Sequence, residues 1–153
     1  SIRFHEEDVR DMGRQARGVK GIELEKKDYL VGMTVGGDEG LILSVTENGF
    51  GKRTQISAYR AQTRGGKGVI NVKTTAKNGR VVAIMKVDDE SELIIITAQG
   101  KVIRLEAGPI RAAGRSTQGV KLIDLGGEDK VTAVSLITSQ TEHLLDSGSP
   151  TIH

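Results

Sequence analysis

The sequence repeats itself, and this repeat constrains the fold more than any other feature. Residues 2–24, IRFHEEDVRDMGRQARGVKGIEL, align without a gap on residues 103–125, IRLEAGPIRAAGRSTQGVKLIDL, at a constant offset of 101. A looser copy, YRAQTRGGKGVINV at residues 59–72, lies midway, with Arg60 aligned to Arg10 and Gly66 to Gly18. The period is therefore about fifty residues, which is typical of propellers and other repeat architectures.

Each repeat is predicted to contain four short strands. In the best-defined repeat they are Val69–Thr75, Val81–Val87, Leu93–Thr97 and Val102–Leu105. LVGMTV at residues 30–35 and VTAVSLI at residues 131–137 are further copies of the second of these strands. Asn78-Gly79 between two apolar runs is a strong hairpin signal, because both residues tolerate positive φ. Antiparallel units of this period predict an all-β fold, propeller-like, with four-stranded blades.

The repeat also divides the chain. We assign residues 1–137 to a partial propeller of about three blades, with repeat units of about 1–50, 51–102 and 103–137. Residues 138–153 match no repeat and are predicted to form a C-terminal tail. Closed propellers have four to eight blades, so a partial ring leaves open sheet edges. Open edges invite pairing, and we expect this fragment to self-associate.

Composition excludes several classes of protein. The chain has no cysteine and only three scattered histidines, so neither disulfides nor a metal site is expected. It contains no apolar run of membrane-spanning length and no signal-peptide pattern at its start, and we expect a cytoplasmic protein with no membrane partner. Its net charge of +2 is modest, so any signal for nucleic-acid binding must lie in how the charges are distributed.

A glycine-rich heptad, QTRGGKG at residues 62–68, suggests a phosphate-binding loop. It is not a nucleotide-binding loop of the Walker type, because Gly68 stands where that loop needs a hydroxyl residue after Lys67. It is not a dinucleotide loop either, since a β-branched run follows it instead of a helix. No cofactor is therefore predicted for this chain. A glycine turn with two cations suits instead the phosphates of a nucleic-acid backbone.

Cations recur at equivalent positions in the three repeats, and this recurrence favours a duplex as the ligand. A solvated surface charge is the ordinary explanation of any one of them, but cations at one edge of successive blades form the surface that a wrapped duplex requires. They are Arg10, Arg14, Arg17 and Lys20, then Arg60, Arg64 and Lys67, then Arg111, Arg115 and Lys121.

Four stretches carry a resemblance to a known family. VRDMGRQARGVKGIEL, ENGFGKRT, YRAQTRGGKGVINV and GRSTQGVKLIDL resemble the C-terminal domain of bacterial DNA gyrase A, and the similarity extends from Ile2 to Ile137. The resemblance implies the last three blades of a six-bladed β-pinwheel whose basic rim wraps double-stranded DNA. It also implies partners, the rest of gyrase A and gyrase B in an A2B2 holoenzyme, with ATP and Mg²⁺ bound elsewhere in that assembly.

The family's heptad, Q-R-R-G-G-K-G, is matched here at six of seven positions, with Thr63 in the second place. By its neighbours this copy resembles the penultimate blade, so it is interpreted as a second copy of the box that belongs to the first blade. The resemblance implies that the DNA-binding residues are Gln62, Arg64, Gly65, Gly66, Lys67 and Gly68, together with Arg14, Arg17, Lys20, Arg60, Arg115 and Lys121. The glycines would permit a close approach of the backbone, and Arg64 and Lys67 would supply exposed charge.

Two alternatives remain open at the level of sequence. The related A subunit of topoisomerase IV has a similar C-terminal domain, and a protein-interaction propeller would also present repeated loops. An enzyme is not expected, because no nucleophile is paired with a base, and Tyr29 and Tyr59 occupy strand-like repeat positions. The chain would thus be a non-catalytic part of an ATP-dependent type II topoisomerase.

Overall fold

The computed structural model describes residues 1–137, which consist of strands, turns and two short 3-10 helices. The helices are Glu6–Asp8 and Ile56–Ala58. The strands are β1 (Leu41–Thr46), β2 (Phe50–Gln55), β3 (Val81–Val87), β4 (Glu92–Thr97), β5 (Val102–Glu106), β6 (Val120–Lys121) and β7 (Val131–Ile137). The all-β prediction is confirmed, and the predicted tail at 138–153 lies outside the described residues.

The strands form two antiparallel sheets that repeat one pattern. The first has the order β3-β1-β2-β6 and the second β5-β4-β7. Hairpin β1–β2, with Leu41 opposite Gln55, recurs 51 residues later as β4–β5, with Glu92 opposite Glu106. The next strand of each sheet comes from the following repeat, because β3 pairs with β1 and β7 pairs with β4. Neighbouring repeats therefore share sheets, which links each blade to the next.

One apolar core joins the two sheets. Leu43 and Val45 on β1 and Leu93 and Ile95 on β4 are fully buried, as alternation along a strand requires of residues facing one side. Val87, at the end of β3, belongs to the same cluster. This packing fixes the two blades relative to each other.

The predicted strand Val69–Thr75 is wrong. This segment is irregular, although Val69 donates its N–H to Ser1 O at 2.6 Å and Lys73 donates to Thr117 O at 3.1 Å. Its β-branched composition indicated a half-buried pleated surface, yet Ile70 is exposed. The backbone of this segment instead bonds to loops on both sides.

The copy at residues 30–35 is also not a strand, and its apolar side chains are exposed, Met33 by 81% and Val35 by 77%. The equivalent strands β3 and β7 each pair with the hairpin of the repeat before their own. Residues 1–29 contain no hairpin, so within residues 1–137 this copy has no equivalent strand to pair with.

A buried arginine connects the hairpin β1–β2 to a segment further along the chain. Arg53 on β2 is only 7% exposed; its Nε donates to Ile110 O at 2.7 Å and its Nη2 donates to Gly108 O at 2.5 Å. Its remaining nitrogen forms an ion pair with Asp89. Every group that the guanidinium brings into the interior therefore has a partner, as a buried charge requires.

Arg3, fifty residues earlier, makes a similar set of contacts, although its side chain is only partly buried. Its Nη1 donates to Tyr59 O at 3.2 Å and its Nη2 forms an ion pair with Asp38. A parallel bridge joins Arg3 to Ala61, as another joins Arg53 to residue 112. The arginine and the acidic turn are thus parts of the repeat, although the sequence suggested only that acids gather in turns.

The glycine at the left-handed position of the second repeat is Gly68, not Gly66 as the alignment predicted. Gly18, Gly68 and Gly119 have φ of +78°, +77° and +82°, whereas Gly66 does not have positive φ. A Cβ on Gly119 would lie 2.7 Å from Gly51 O, and one on Gly68 would overlap Ser1 O. The loops thus align on the Gly-Val pair that ends each of them.

We predict that Gly68→Ala lowers the free energy of unfolding by about 2 kcal/mol or more, because a left-handed backbone and a close carbonyl both oppose a side chain. The matched control is Gly66→Ala, whose Cβ would lie no closer than 3.8 Å to a neighbouring atom and should change stability by less than about 0.5 kcal/mol. Urea unfolding of both variants measures the difference. Equal losses would show that the two glycines have the same role.

Candidate nucleic-acid interface

Three cation-bearing loops lie side by side, and we call them together the loop ridge: residues 10–21, 60–70 and 111–121. The first two loops are joined by backbone hydrogen bonds. Gly65 donates its N–H to Gly21 O at 2.6 Å, and Glu23, just after the first loop, donates to Gly66 O at 2.9 Å. The middle of the heptad is therefore held against the preceding loop.

The second and third loops are joined in the same region. Arg115 Nη1 donates to Ile70 O at 3.0 Å. The fully buried Asn78 donates its side-chain N–H to Gln118 O at 3.1 Å and to Lys73 O at 3.0 Å. The ridge is thus continuous across three repeats, and the sequence prediction that these loops share one edge agrees with this geometry.

Charge is strongly segregated onto the ridge. Its three loops contain ten lysines and arginines and one carboxylate, Asp11, whereas the whole chain has a net charge of only +2. Within residues 1–137, five exposed arginines of the ridge make neither a side-chain hydrogen bond nor an ion pair; these are Arg10, Arg14, Arg17, Arg60 and Arg111. Their guanidinium groups are available to an external anion.

The three ridge lysines have weak surface partners. Lys20 lies 3.7 Å from Glu23, Lys67 lies 3.8 Å from Glu25 and Lys121 lies 2.5 Å from Asp124. These lysine side chains remain 59%, 72% and 53% exposed. Exposed pairs of this kind contribute about 0–1 kcal/mol, so a phosphate can replace the carboxylate at little cost.

Arg64 has a structural role that the sequence did not reveal. Its Nε donates to Asp8 O at 2.8 Å and its Nη1 donates to Lys20 O at 3.1 Å. Arg115 bonds to Ile70 O in the equivalent way, 51 residues on. The expectation that Arg64 is an exposed charge is therefore wrong: it clamps the second loop onto the first, and its two Nη2 hydrogens and one Nη1 hydrogen are left for another partner.

The remaining heptad residues differ in exposure. Gln62 donates its backbone N–H to Arg3 O at 2.8 Å, and its side-chain nitrogen is buried and has no hydrogen-bond partner among residues 1–137, so that nitrogen does not reach the surface. Gly65 has φ of +83°, so a glycine is required there for the turn. Lys67 is exposed beside them. The loop therefore presents backbone and one lysine rather than a row of side chains.

A buried lysine beneath the third loop escaped the sequence analysis. Lys52 on β2 is 1% exposed, and its Nζ donates to Gly114 O and to Arg115 O, both at 2.6 Å. Burial, with the Arg115 charge as a second cause, lowers the pKa of Lys52 to about 8. The sequence carried one signal of this special position: the other two repeats have an isoleucine, Ile2 or Ile103, where this repeat has a lysine.

The described residues were also compared with the requirements of a metal site and of a membrane-spanning helix. No cluster of three histidine or carboxylate side chains within 1–137 could hold a metal ion. In the same residues, no helix has the length and apolar character needed to span a membrane.

We predict that Arg64→Met and Lys67→Met separate structure from surface charge. Arg64→Met removes two hydrogen bonds to backbone carbonyls and should lower the free energy of unfolding by about 1–3 kcal/mol. Lys67→Met removes one exposed ion pair and should change it by less than about 0.5 kcal/mol. Urea unfolding measures both values; an unchanged stability in Arg64→Met would contradict the clamp.

Comparison with known proteins agrees with this architecture. The family model described as the DNA gyrase C-terminal domain, a β-propeller, matches residues 1–35, 40–88 and 91–138. The DNA gyrase A protein of Helicobacter pylori (strain ATCC 700392 / 26695) is 48% identical over 143 residues, which cover 92% of this chain and 17% of that protein. The chain therefore spans only a small part of the length of this relative.

Solved structures share the fold. A gyrase A C-terminal domain aligns with a TM-score of 0.80 at 29% identity, over 88% of this chain and 46% of that one. A C-terminal domain of DNA topoisomerase IV aligns with a TM-score of 0.82 at 24% identity, over 94% of this chain and 46% of that one, which shows a common fold alone. The propeller-like fold predicted from the repeat and the family implied by the resemblance are both confirmed: the chain belongs to the DNA gyrase C-terminal domain family of β-propellers.

Proposed function

We propose that this chain is a non-catalytic module that binds and wraps double-stranded DNA along the loop ridge. The observation that carries the proposal is the continuity of three loops that together hold ten cations and one carboxylate. A duplex is a line of negative charge, and a continuous cationic ridge matches it over more than one contact.

The chemistry of the ridge favours the DNA backbone over the bases. Its available groups are guanidinium and ammonium groups, with glycine turns that let the main chain approach a phosphate. Arginine can hold a phosphate with two parallel N–H donors, whereas lysine acts as a point charge. Phosphate contacts of this kind carry no sequence information directly, so binding should have little sequence preference.

The wider role follows from the family. We propose that the chain acts as part of gyrase A and with gyrase B in an A2B2 assembly in the cytoplasm, where wrapping supports ATP-dependent negative supercoiling. ATP and Mg²⁺ would bind elsewhere in that assembly. The exposed apolar segment at residues 30–35 would pair with a neighbouring hairpin there, and in the isolated chain it favours self-association.

The gyrase assignment is preferred to topoisomerase IV because of the 48% identity to a gyrase A protein and because of the nearly complete heptad. A protein-interaction propeller is disfavoured by the aromatic content of 3%, since aromatic residues are enriched in protein–protein interfaces.

We predict that duplex DNA binds with strong salt dependence. Each neutralised phosphate contributes about −0.9 to the slope of log affinity against log salt, so contacts from the three loops should give a slope of about −4 to −8. Fluorescence anisotropy with duplexes of two unrelated sequences, at several salt concentrations, measures both the slope and the sequence preference.

The matched variants for this experiment are Arg60→Met on the ridge and Lys86→Met on β3. Arg60→Met should weaken binding of both sequences and reduce the steepness of the slope by about 1. Lys86→Met should leave both quantities at the parent values. Salt-independent affinity, or equal effects of the two variants, would contradict the proposal.

A further inference from the structure

The buried Lys52 lies under the third loop of the ridge and holds it from inside. Its Nζ donates to the carbonyls of Gly114 and Arg115, at 2.6 Å each. The stem of the same loop is attached to β2 next to Lys52, because Ala113 donates to Arg53 O at 2.8 Å and Thr54 Oγ1 donates to Ala113 O at 2.8 Å. The position of Lys52 relative to the loop is therefore fixed by several bonds.

Lys52 is not a requirement of the repeat. The equivalent positions, at offsets of 50 and 51, are Ile2 and Ile103. An isoleucine at this position is accordingly compatible with the hairpin. The ammonium group is specific to the β1–β2 hairpin, and it costs desolvation that an apolar side chain would avoid.

The loop above Lys52 has free donors. The backbone N–H groups of Arg115 and Ser116 make no hydrogen bond within residues 1–137, whereas the carbonyls of Gly114 and Arg115 are taken by Lys52. Successive N–H groups in a turn form an anion-binding concavity. In this protein the Lys52 ammonium group donates hydrogen bonds to two carbonyls of that turn.

The charged surroundings of Lys52 contain no compensating anion. Within residues 1–137 it forms no ion pair with a carboxylate. Ser44, opposite Lys52 on β1, accepts from Asn71, which in turn accepts from the Tyr59 hydroxyl. Burial raises the pKa of Tyr59, so this hydroxyl keeps its proton while Lys52 titrates.

Two other cationic groups belong to the same region. Arg115 is on the loop itself, and its charge also acts on the Ser1 ammonium, which donates to Val69 O at 2.8 Å. Burial, with the Arg115 charge as a second cause, lowers the pKa of the Ser1 ammonium. An anion would therefore relieve an excess of positive charge at this loop.

We propose that the turn at residues 114–118 is a DNA-phosphate site whose charge is supplied from beneath by Lys52, so that duplex binding and protonation of Lys52 are coupled. The inference rests on the proposed DNA-binding function and adds a positioning residue to it. Thermodynamic linkage makes the coupling reciprocal: a bound phosphate holds the proton on Lys52, and loss of that proton weakens the phosphate contact.

The coupling has a measurable size. If a bound duplex raises the pKa of Lys52 by about one unit, affinity falls up to about tenfold as pH rises through the titration of Lys52. The direct test is NMR titration of labelled lysine side chains in the full chain, with and without a duplex. The expected result is a Lys52 pKa that increases when the duplex is present; an unchanged value overturns the proposal.

The second test compares variants. Duplex affinity is measured at pH 7 and pH 9.5 for the parent chain, Lys52→Met and Lys121→Met. Lys52→Met should weaken binding at pH 7 and reduce the loss of affinity between the two pH values, because the ammonium group whose titration is coupled to binding is then absent. Lys121→Met removes an exposed ridge charge and should weaken binding at both pH values while keeping the parent's pH dependence.

The outcomes separate the two proposals. Salt-dependent binding with the same pH dependence in the parent and Lys52→Met overturns the role of Lys52 and leaves the ridge intact. Absence of salt-dependent DNA binding in the parent overturns the proposed function and this inference together. If Lys52→Met does not fold, the NMR titration of the parent decides.

Discussion

The contact on which the rest of the structure depends is the one that Arg53, and its repeat equivalent Arg3, makes with the segment leading into the next ridge loop. Arg53 gives donors to the carbonyls of Ile110 and Gly108 and an ion pair to Asp89, and Arg3 makes equivalent contacts with Tyr59 and Asp38. A buried guanidinium without these partners would be costly, so the contact of Arg53 specifies the path of the chain beside it. These contacts determine where the second and third ridge loops begin.

The ridge follows from this constraint. The parallel bridge from Arg53 to residue 112 places the third loop beside β2, and the bridge from Arg3 to Ala61 places the second loop in the equivalent position. Arg64 and Arg115 then hold each loop to the one before it. Because the loops of successive repeats contact one another, their cations form one surface, while acidic residues such as Asp38 and Asp89 pair with the buried arginines instead.

The repeat predicted the parts of the fold that depend on local pattern. The hairpin β4–β5 and the strands β3 and β7 lie where the repeat predicted strands, and the hairpin β1–β2 lies at the equivalent place one repeat earlier. The two predicted strands that the structure lacks depend on partners distant in sequence. Residues 69–75 form hydrogen bonds with loops, and residues 30–35 have no equivalent hairpin within residues 1–137 to pair with. The sequence alignment matched Gly18 with Gly66, two residues before the left-handed Gly68, because composition does not distinguish the two glycines. The hydrogen bonds of Lys52 and Arg64 to backbone carbonyls could not be predicted, since the sequence does not show which carbonyls lie near these side chains in the fold.

Amide chemical-shift changes in an NMR titration with a short duplex would show whether the three contiguous loops form one DNA-binding surface. We expect simultaneous changes in residues 10–21, 60–70 and 111–121 that diminish together when salt is added. Residues 38–40 and 88–91, where the acidic turns lie, should change little. Changes confined to a single loop, or centred on the acidic turns, would contradict a DNA-binding surface formed by all three loops.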